Sequence, residues 1–184
     1  MIIVVGLAGS GKSTQCQMLE EAGRYNWLSV GQLLRNKITD YKQKAIIESG
    51  DILDDETVLP LILEEIETRR QDSDKELILD GFPRTLPQGR WLLELANKEE
   101  ITISRVINIR ASDKTTKPRL LKRGRTDDHE AAINERFNEY ENQILPILEY
   151  FRSKNISISE VNGENDPEVV HKDILSALGE VING

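Results

Sequence analysis

A single cysteine, Cys16, stands among the 184 residues, which excludes an internal disulfide and a cysteine-built zinc site. Aromatic residues are scarce at 5%, so aliphatic side chains must supply the core. No apolar run approaches the roughly 20 residues that a membrane-crossing helix needs, and no basic stretch precedes a signal-like one. Positive charge is in deficit: 24 Lys and Arg face 32 Asp and Glu, a formal net charge of −8. That balance argues against a duplex nucleic-acid partner, whose phosphate backbone requires a basic face. The two histidines, His129 and His171, lie in acidic helical contexts and are expected at the solvated surface. Repeats, low-complexity segments and linkers are absent as well. Together these point to one cytoplasmic domain over residues 1–184, with neither membrane nor nucleic acid as partner.

What is present begins at the first residues. Ile2-Ile3-Val4-Val5 reads as a buried strand, and Ser13 to Glu21 reads as a helix with Met18 and Leu19 on its inner side. Between them, Gly6-Leu7-Ala8-Gly9-Ser10-Gly11-Lys12-Ser13 fits the phosphate-loop pattern G-x-x-x-x-G-K-[ST]. Glycines let the backbone turn tightly and bring successive N–H groups onto phosphate oxygens at the positive end of a helix. Lys12 then reaches the outer phosphates, and the Ser13 hydroxyl is placed for Mg²⁺. The pattern predicts a nucleoside triphosphate site.

Downstream, helices and strands alternate. Trp27-Leu28-Ser29 reads as a strand, Val30 to Ile38 as a helix, and 40–49 as another helix closed by Gly50. Asp54-Asp55-Glu56 opens a helix running to about Arg70, with Pro60 either marking its true start or bending it. Glu76 to Asp80 is a strand ending in an acid, followed by the turn Gly81-Phe82-Pro83-Arg84 and a helix carrying Trp91, Leu92, Leu93 and Leu95. Ser104 to Arg110 is a buried strand and 113–123 a basic helix. Thr126-Asp127-Asp128 is expected to cap a long amphipathic helix that keeps Ile133, Phe137, Tyr140, Ile144, Leu148 and Phe151 at three-or-four spacing. Pro146 bends that helix without ending it. The last strand covers 156–161, Asn162-Gly163 turns, and 167–182 forms a closing helix. Alternation of this kind requires a parallel sheet with helices on both faces, an α/β fold. Ligands of such sheets sit beyond the carboxyl ends of the strands, where the Gly-rich loop, Ser29-Val30-Gly31, Asp80-Gly81 and the basic segment converge.

That basic segment gathers Lys114, Lys117, Arg119, Lys122, Arg123 and Arg125 against the sign of the whole chain. Arg119 and Arg123 share one helix face. Arginine offers planar bidentate forks to phosphate and cannot lose its charge. Gly6 to Gln15, Leu28 to Arg35, Asp80 to Gln88, and Arg119 to Gly124 with Arg125-Thr126-Asp127-Asp128 and Arg136 resemble adenylate kinases, in order and over essentially the whole chain. The resemblance implies a P-loop kinase with a five-stranded parallel sheet, a monophosphate-binding insert over 30–59 and a lid over 118–127. It implies reversible transfer of the ATP γ-phosphoryl to AMP, giving two ADP, with Mg²⁺ and without zinc, by a monomer.

Residue by residue, the resemblance assigns Gly9, Ser10, Gly11, Lys12, Ser13 and Thr14 to the ATP triphosphate. Arg119 packs on the ATP adenine and Arg123 contacts its phosphates. Arg35, Arg84, Arg125 and Arg136 grip the AMP phosphate and the phosphoryl in flight; Lys12, Arg84, Arg123, Arg125 and Arg136 form the catalytic set. Asp51, Ile52 and Leu53 touch the AMP adenine, Gln88 reads its edge, and Val30, Gly81, Phe82 and Pro83 complete that side. Asp80 holds Mg²⁺ through water, and the loop at Asn165-Asp166 meets the ATP base; the phosphate-loop pattern, rather than the resemblance, offers Ser13 as a direct ligand.

The chain departs from the family at the lid, where Gly124 alone separates Arg123 from Arg125, and at three points. Ser13 stands for the usual Gly, Val30 for Thr and Gln32 for Asp. A small apolar residue at the Val30 position belongs to UMP/CMP kinases, whereas Gln88 belongs to the AMP enzymes. A pyrimidine monophosphate kinase therefore stays open as an alternative, as does a nucleotide sensor without catalysis.

Overall fold

In the computed structural model, residues 1–72 and 74–180 are described. Five strands form one parallel sheet: β1 (Ile2–Gly6), β2 (Tyr25–Ser29), β3 (Glu76–Asp80), β4 (Arg105–Arg110) and β5 (Ile158–Asn162), in the order β2-β3-β1-β4-β5. β1 is central, with Ile3 registered between Leu79 and Val106. The helices among the described residues are α1 (Lys12–Glu21), α2 (Val30–Lys37), α3 (Tyr41–Ser49), α4 (Asp55–Asp72), α5 (Leu86–Asn97), α6 (Asp113–Arg123), α7 (Glu130–Glu139), α8 (Leu145–Ser153) and α9 (Pro167–Leu178).

The uninterrupted apolar runs in β1, β3 and β4 follow from burial on both sheet faces. Alternate residues serve different cores. Ile3, Val5, Leu79 and Val106 pack with α2, α4, α5 and α8, including Leu33, Ile62, Leu92 and Phe151. Ile2, Val4, Ile78, Ile107 and Val161 pack with Cys16 and Leu19 of α1 and Val170 and Ile174 of α9. Burial pushes the Cys16 thiol well above its ordinary pKa, as suits a small core residue.

Several boundaries differ from the sequence reading. β2 starts at Tyr25, two residues early, and β5 starts at Ile158 because the Ile156 amide is used to close α8 on the Phe151 carbonyl. α4 begins at Asp55, capped by the Asp54 carboxylate on the Thr57 amide at 2.8 Å, and runs through Pro60. α9 ends at Leu178 on Gly179, which takes the left-handed conformation at φ 79°; residues 181 and 182 of the expected helix lie outside the described residues. The helix expected to carry Pro146 is divided by a π turn over Tyr140–Ile144, closed by the Leu145 amide on the Tyr140 carbonyl. A widened turn just before a proline gives its ring room and absorbs its missing donor.

Asp127 and Asp128 do not cap α7. His129 does, its Nδ1 accepting from the Ala132 amide at 3.3 Å while Nε2 meets the Glu48 carbonyl. His129 is exposed, as its context suggests, whereas His171 is half-buried against Gln15. Burial lowers the His171 pKa, opposed by Glu180.

Candidate active site

Gly6 ends β1 where only glycine fits: a Cβ there would stand 2.2 Å from the Ile109 carbonyl oxygen. At Gly9, in the left-handed region at φ 80°, a Cβ would come within 2.9 Å of the Thr116 carbonyl oxygen on α6. The loop is thus wedged between β4 and α6, and Gly11 caps α1 with no side-chain acceptor. The first turn of a helix leaves N–H groups without intrahelical partners, which here belong to Lys12, Ser13 and Thr14. Lys12 folds over the loop, Nζ donating to the carbonyls of Gly6 at 2.8 Å and Leu7 at 2.9 Å. Burial lowers its pKa and the Asp80 carboxylate works against that.

Asp80, buried at the carboxyl end of β3, accepts from Ser13 Oγ at 2.9 Å and Trp27 Nε1 at 3.3 Å, both on Oδ2. Burial raises its pKa, countered first by Lys12 and then by these two donors. β3 and β2 end side by side, so Ser29 stands in register with Asp80 and α2 departs over the same rim.

A cleft of about 780 Å³ opens there. Its wall contains Gly9 through Thr14, Val30, Arg35, Asp80, Gly81, Pro83, Arg84, Arg119, Arg123, Arg125 and Arg136, all of them expected from the sequence. Asn165 reaches it from the loop after β5, and Arg119 Nη1 donates to the Gly163 carbonyl at 2.9 Å. Asp51, Ile52, Leu53, Phe82 and Gln88 are not in that wall. Leu53 and Phe82 are core residues, Phe82 meeting Trp91 edge-on at 6.0 Å. Asp51 and Ile52 line a second hollow of about 440 Å³ beside α7. Gln88 is buried behind Arg84.

The cations in the cleft are held by acids that sequence reasoning did not place in the site. Arg84 grips Glu139 with two nitrogens, Nε at 2.6 Å, and its Nη2 also reaches the Gly50 carbonyl. Arg123 forms a bidentate pair with Asp128 at 2.7 and 2.8 Å. Arg136 bonds Asp127 Oδ2 and Asp128 Oδ1, each at 3.1 Å. Burial would raise the Asp128 pKa. Arg123, the Arg125 amide and Arg136 outweigh it and hold the carboxyl down to about 2. The Arg125 side chain makes no hydrogen bond among the described residues. Arg35 has its pKa lowered by burial and then by Arg125, with Arg123 and Arg136 adding to the effect and Asp127 opposing it. Such mutual depression is what converging like charges produce. The Arg123–Asp128 spacing of five residues was a local signal for one of these pairs; Glu139 had none, being 55 residues from Arg84.

Cations, loop amides and a metal-capable acid at one sheet edge suit a phosphate-rich ligand. A family model described as adenylate kinase matches residues 4–156. Adenylate kinase 1 of Nostoc sp. is 33% identical over 183 residues, covering 97% of this chain and 98% of its own. An adenylate kinase of Prochlorococcus marinus strain MIT 9211 is 33% identical over 186 residues, covering 98% of both. One from Corynebacterium urealyticum is 29% identical over 182 residues, covering 96% of this chain and 98% of its own. With a match that spans the sheet, the loop and the arginine rim together, the chain belongs to the adenylate kinase family.

Proposed function

We propose that the chain transfers the γ-phosphoryl of ATP to AMP, reversibly, giving two ADP. The supporting observation is the convergence of Lys12, Arg35, Arg84, Arg123, Arg125 and Arg136 on one cleft in a protein of net charge −8. Phosphoryl transfer runs through a loose transition state with charge spread over oxygens, so positioning and cationic stabilisation do nearly all the work. Loop amides and Lys12 take the triphosphate, with Arg119 on its adenine and Arg123 on its phosphates. Arg35, Arg84, Arg125 and Arg136 take the acceptor phosphate and the migrating group, and Gln88, behind Arg84, reads the acceptor base. A phosphate monoester with second pKa near ~6 is mostly a dianion at neutral pH, so no general base is required.

Ser13 Oγ and the Asp80 carboxylate, 2.9 Å apart beside the loop, are hard oxygen donors of the kind Mg²⁺ selects. Bound there with the nucleotide, the ion neutralises phosphate charge. Among the described residues no group of three or more His, Cys, Asp and Glu could hold a metal. No helix among them is long and apolar enough to cross a membrane. The large exposed apolar side chains, Tyr41, Leu121, Leu145 and Val169, are scattered over four helices, consistent with a monomer. We place it in the cytoplasm, acting on free nucleotides, with residues 30–59 on the AMP side and 118–127 as a short lid.

A coupled assay with MgATP and AMP, CMP or UMP tests this, AMP being expected to give the highest kcat/KM. Preference for CMP or UMP would overturn the acceptor. ATP binding without transfer to any monophosphate would overturn the enzyme reading.

A further inference from the structure

Gln88 lies at the start of α5, 1% exposed, with its carboxamide held from two sides. Nε2 donates to Asp55 Oδ1 at 2.8 Å, and Oε1 accepts from the Arg84 backbone N–H at 2.8 Å. Neither partner can exchange roles, since a carboxylate only accepts and a backbone N–H only donates. Turning the amide over would set its NH₂ against an N–H and its oxygen against a carboxylate. One N–H and one oxygen lone pair remain, in a fixed order.

We infer that Asp55 is a positioning residue for base specificity: together with the Arg84 N–H it fixes which way round Gln88 stands, and so which base edge can be read. This rests on the proposed role of Gln88 at the acceptor base. Adenine presents the N6 donor beside the N1 acceptor, matching the free oxygen and N–H of the held amide. Hypoxanthine has nearly the same outline but the reverse order, an O6 acceptor beside an N1 donor. A freely turning amide takes either base, whereas the pinned one leaves IMP with two unmatched polar pairs, the situation that gives discrimination. Asp55 opens α4 two residues after Leu53, so the pair also fixes where the Asp51–Leu53 stretch meets α5.

The test compares kcat/KM for AMP and IMP in the wild type, Asp55→Asn, Gln88→Ala and Asp54→Asn, each checked by thermal melting. Asparagine at 55 can turn to donate or accept, which removes one of the two pins, so the AMP:IMP ratio is expected to fall roughly tenfold, mainly through KM. Asp55→Ser, whose hydroxyl also does either, carries the same expectation and serves if the asparagine variant does not fold. Asp54→Asn changes the neighbouring carboxylate, at the α4 cap, without touching Gln88, so it should leave the ratio alone. An unchanged ratio in folded Asp55→Asn, with the AMP KM raised in Gln88→Ala, would overturn the inference and spare the Gln88 reading. An unchanged AMP KM in Gln88→Ala would overturn both.

Discussion

Arg84 shows what the acid-paired cleft arginines, Arg84, Arg123 and Arg136, do before any nucleotide arrives. Its guanidinium closes on the Glu139 carboxylate, the same fork a phosphate would occupy, so the side chain is already oriented. Its place on the turn after β3 sets it toward Glu139 of α7 and the Gly50 carbonyl after α3, while Arg119 and Gly163 mark the other flank of the cleft. Arg84→Ala should therefore cost about 2.7–4 kcal/mol of transition-state stabilisation, read as a fall in kcat, with the ATP KM nearly unchanged. Steady-state kinetics with each substrate varied in turn checks this, and an equal loss toward ATP would move Arg84 to the donor side. The cations were legible in the sequence because motifs are local. The distant acids were not: Glu139 meets Arg84 across 55 residues, and Asp55 meets the neutral Gln88 amide across 33. Asp127 and Asp128 misled for another reason, since an acid pair ahead of a helix is also what a cap looks like.

The joint between α6 and α7 carries the densest ion pairing. Arg123 ends α6, Gly124 turns in the left-handed region at φ 67°, and within five residues of Arg123 Asp128 closes back on it. The Asp128 carboxyl, held down at about 2 against an ordinary 3.8, has a folded-state pKa below its unfolded one. Its contribution is therefore complete above the unfolded value and is lost as pH falls toward the folded one; the gap corresponds to on the order of 2 kcal/mol. In urea unfolding, Asp128→Asn should be less stable than the wild type near neutral pH, and the difference should close as pH drops from about 4 toward about 2. A difference constant down to the lowest pH would assign the stability to packing instead. Elements of this kind were legible by periodicity, but their joints were not. The apolar stripe from Ile133 to Phe151 reads as one helix, yet a π turn at Tyr140–Ile144 divides it, and the Tyr140 hydroxyl is drawn to Asn108 on β4 at 3.2 Å. A contact between distant segments leaves no periodic trace.

For the molecule as a whole, alternation of strands and helices gave a parallel sheet covered on both faces, and the phosphate loop marked its active rim. The strand order did not follow from alternation, because doubly wound sheets with the same alternation adopt different orders. What the order does is put β1 at the centre, so that the loop after it faces both the α2 side and the α6 side of one cleft. Closure over that cleft has little chain to work with on the α6 side. Only Gly124 lies between Arg123 and Arg125, and both arginines remain exposed at the rim. Lid closure sequesters the reaction from water, and a cover of this length brings cations without much surface to exclude it. ATP hydrolysis in the absence of AMP, relative to phosphoryl transfer in its presence, should consequently be faster than in a relative with a long lid. Phosphate release measured side by side on the two proteins decides it. Hydrolysis no faster than in the long-lid relative would mean that the proposed AMP-side insert at 30–59 excludes water on its own, and the proposed lid at 118–127 would then serve only to deliver Arg123 and Arg125.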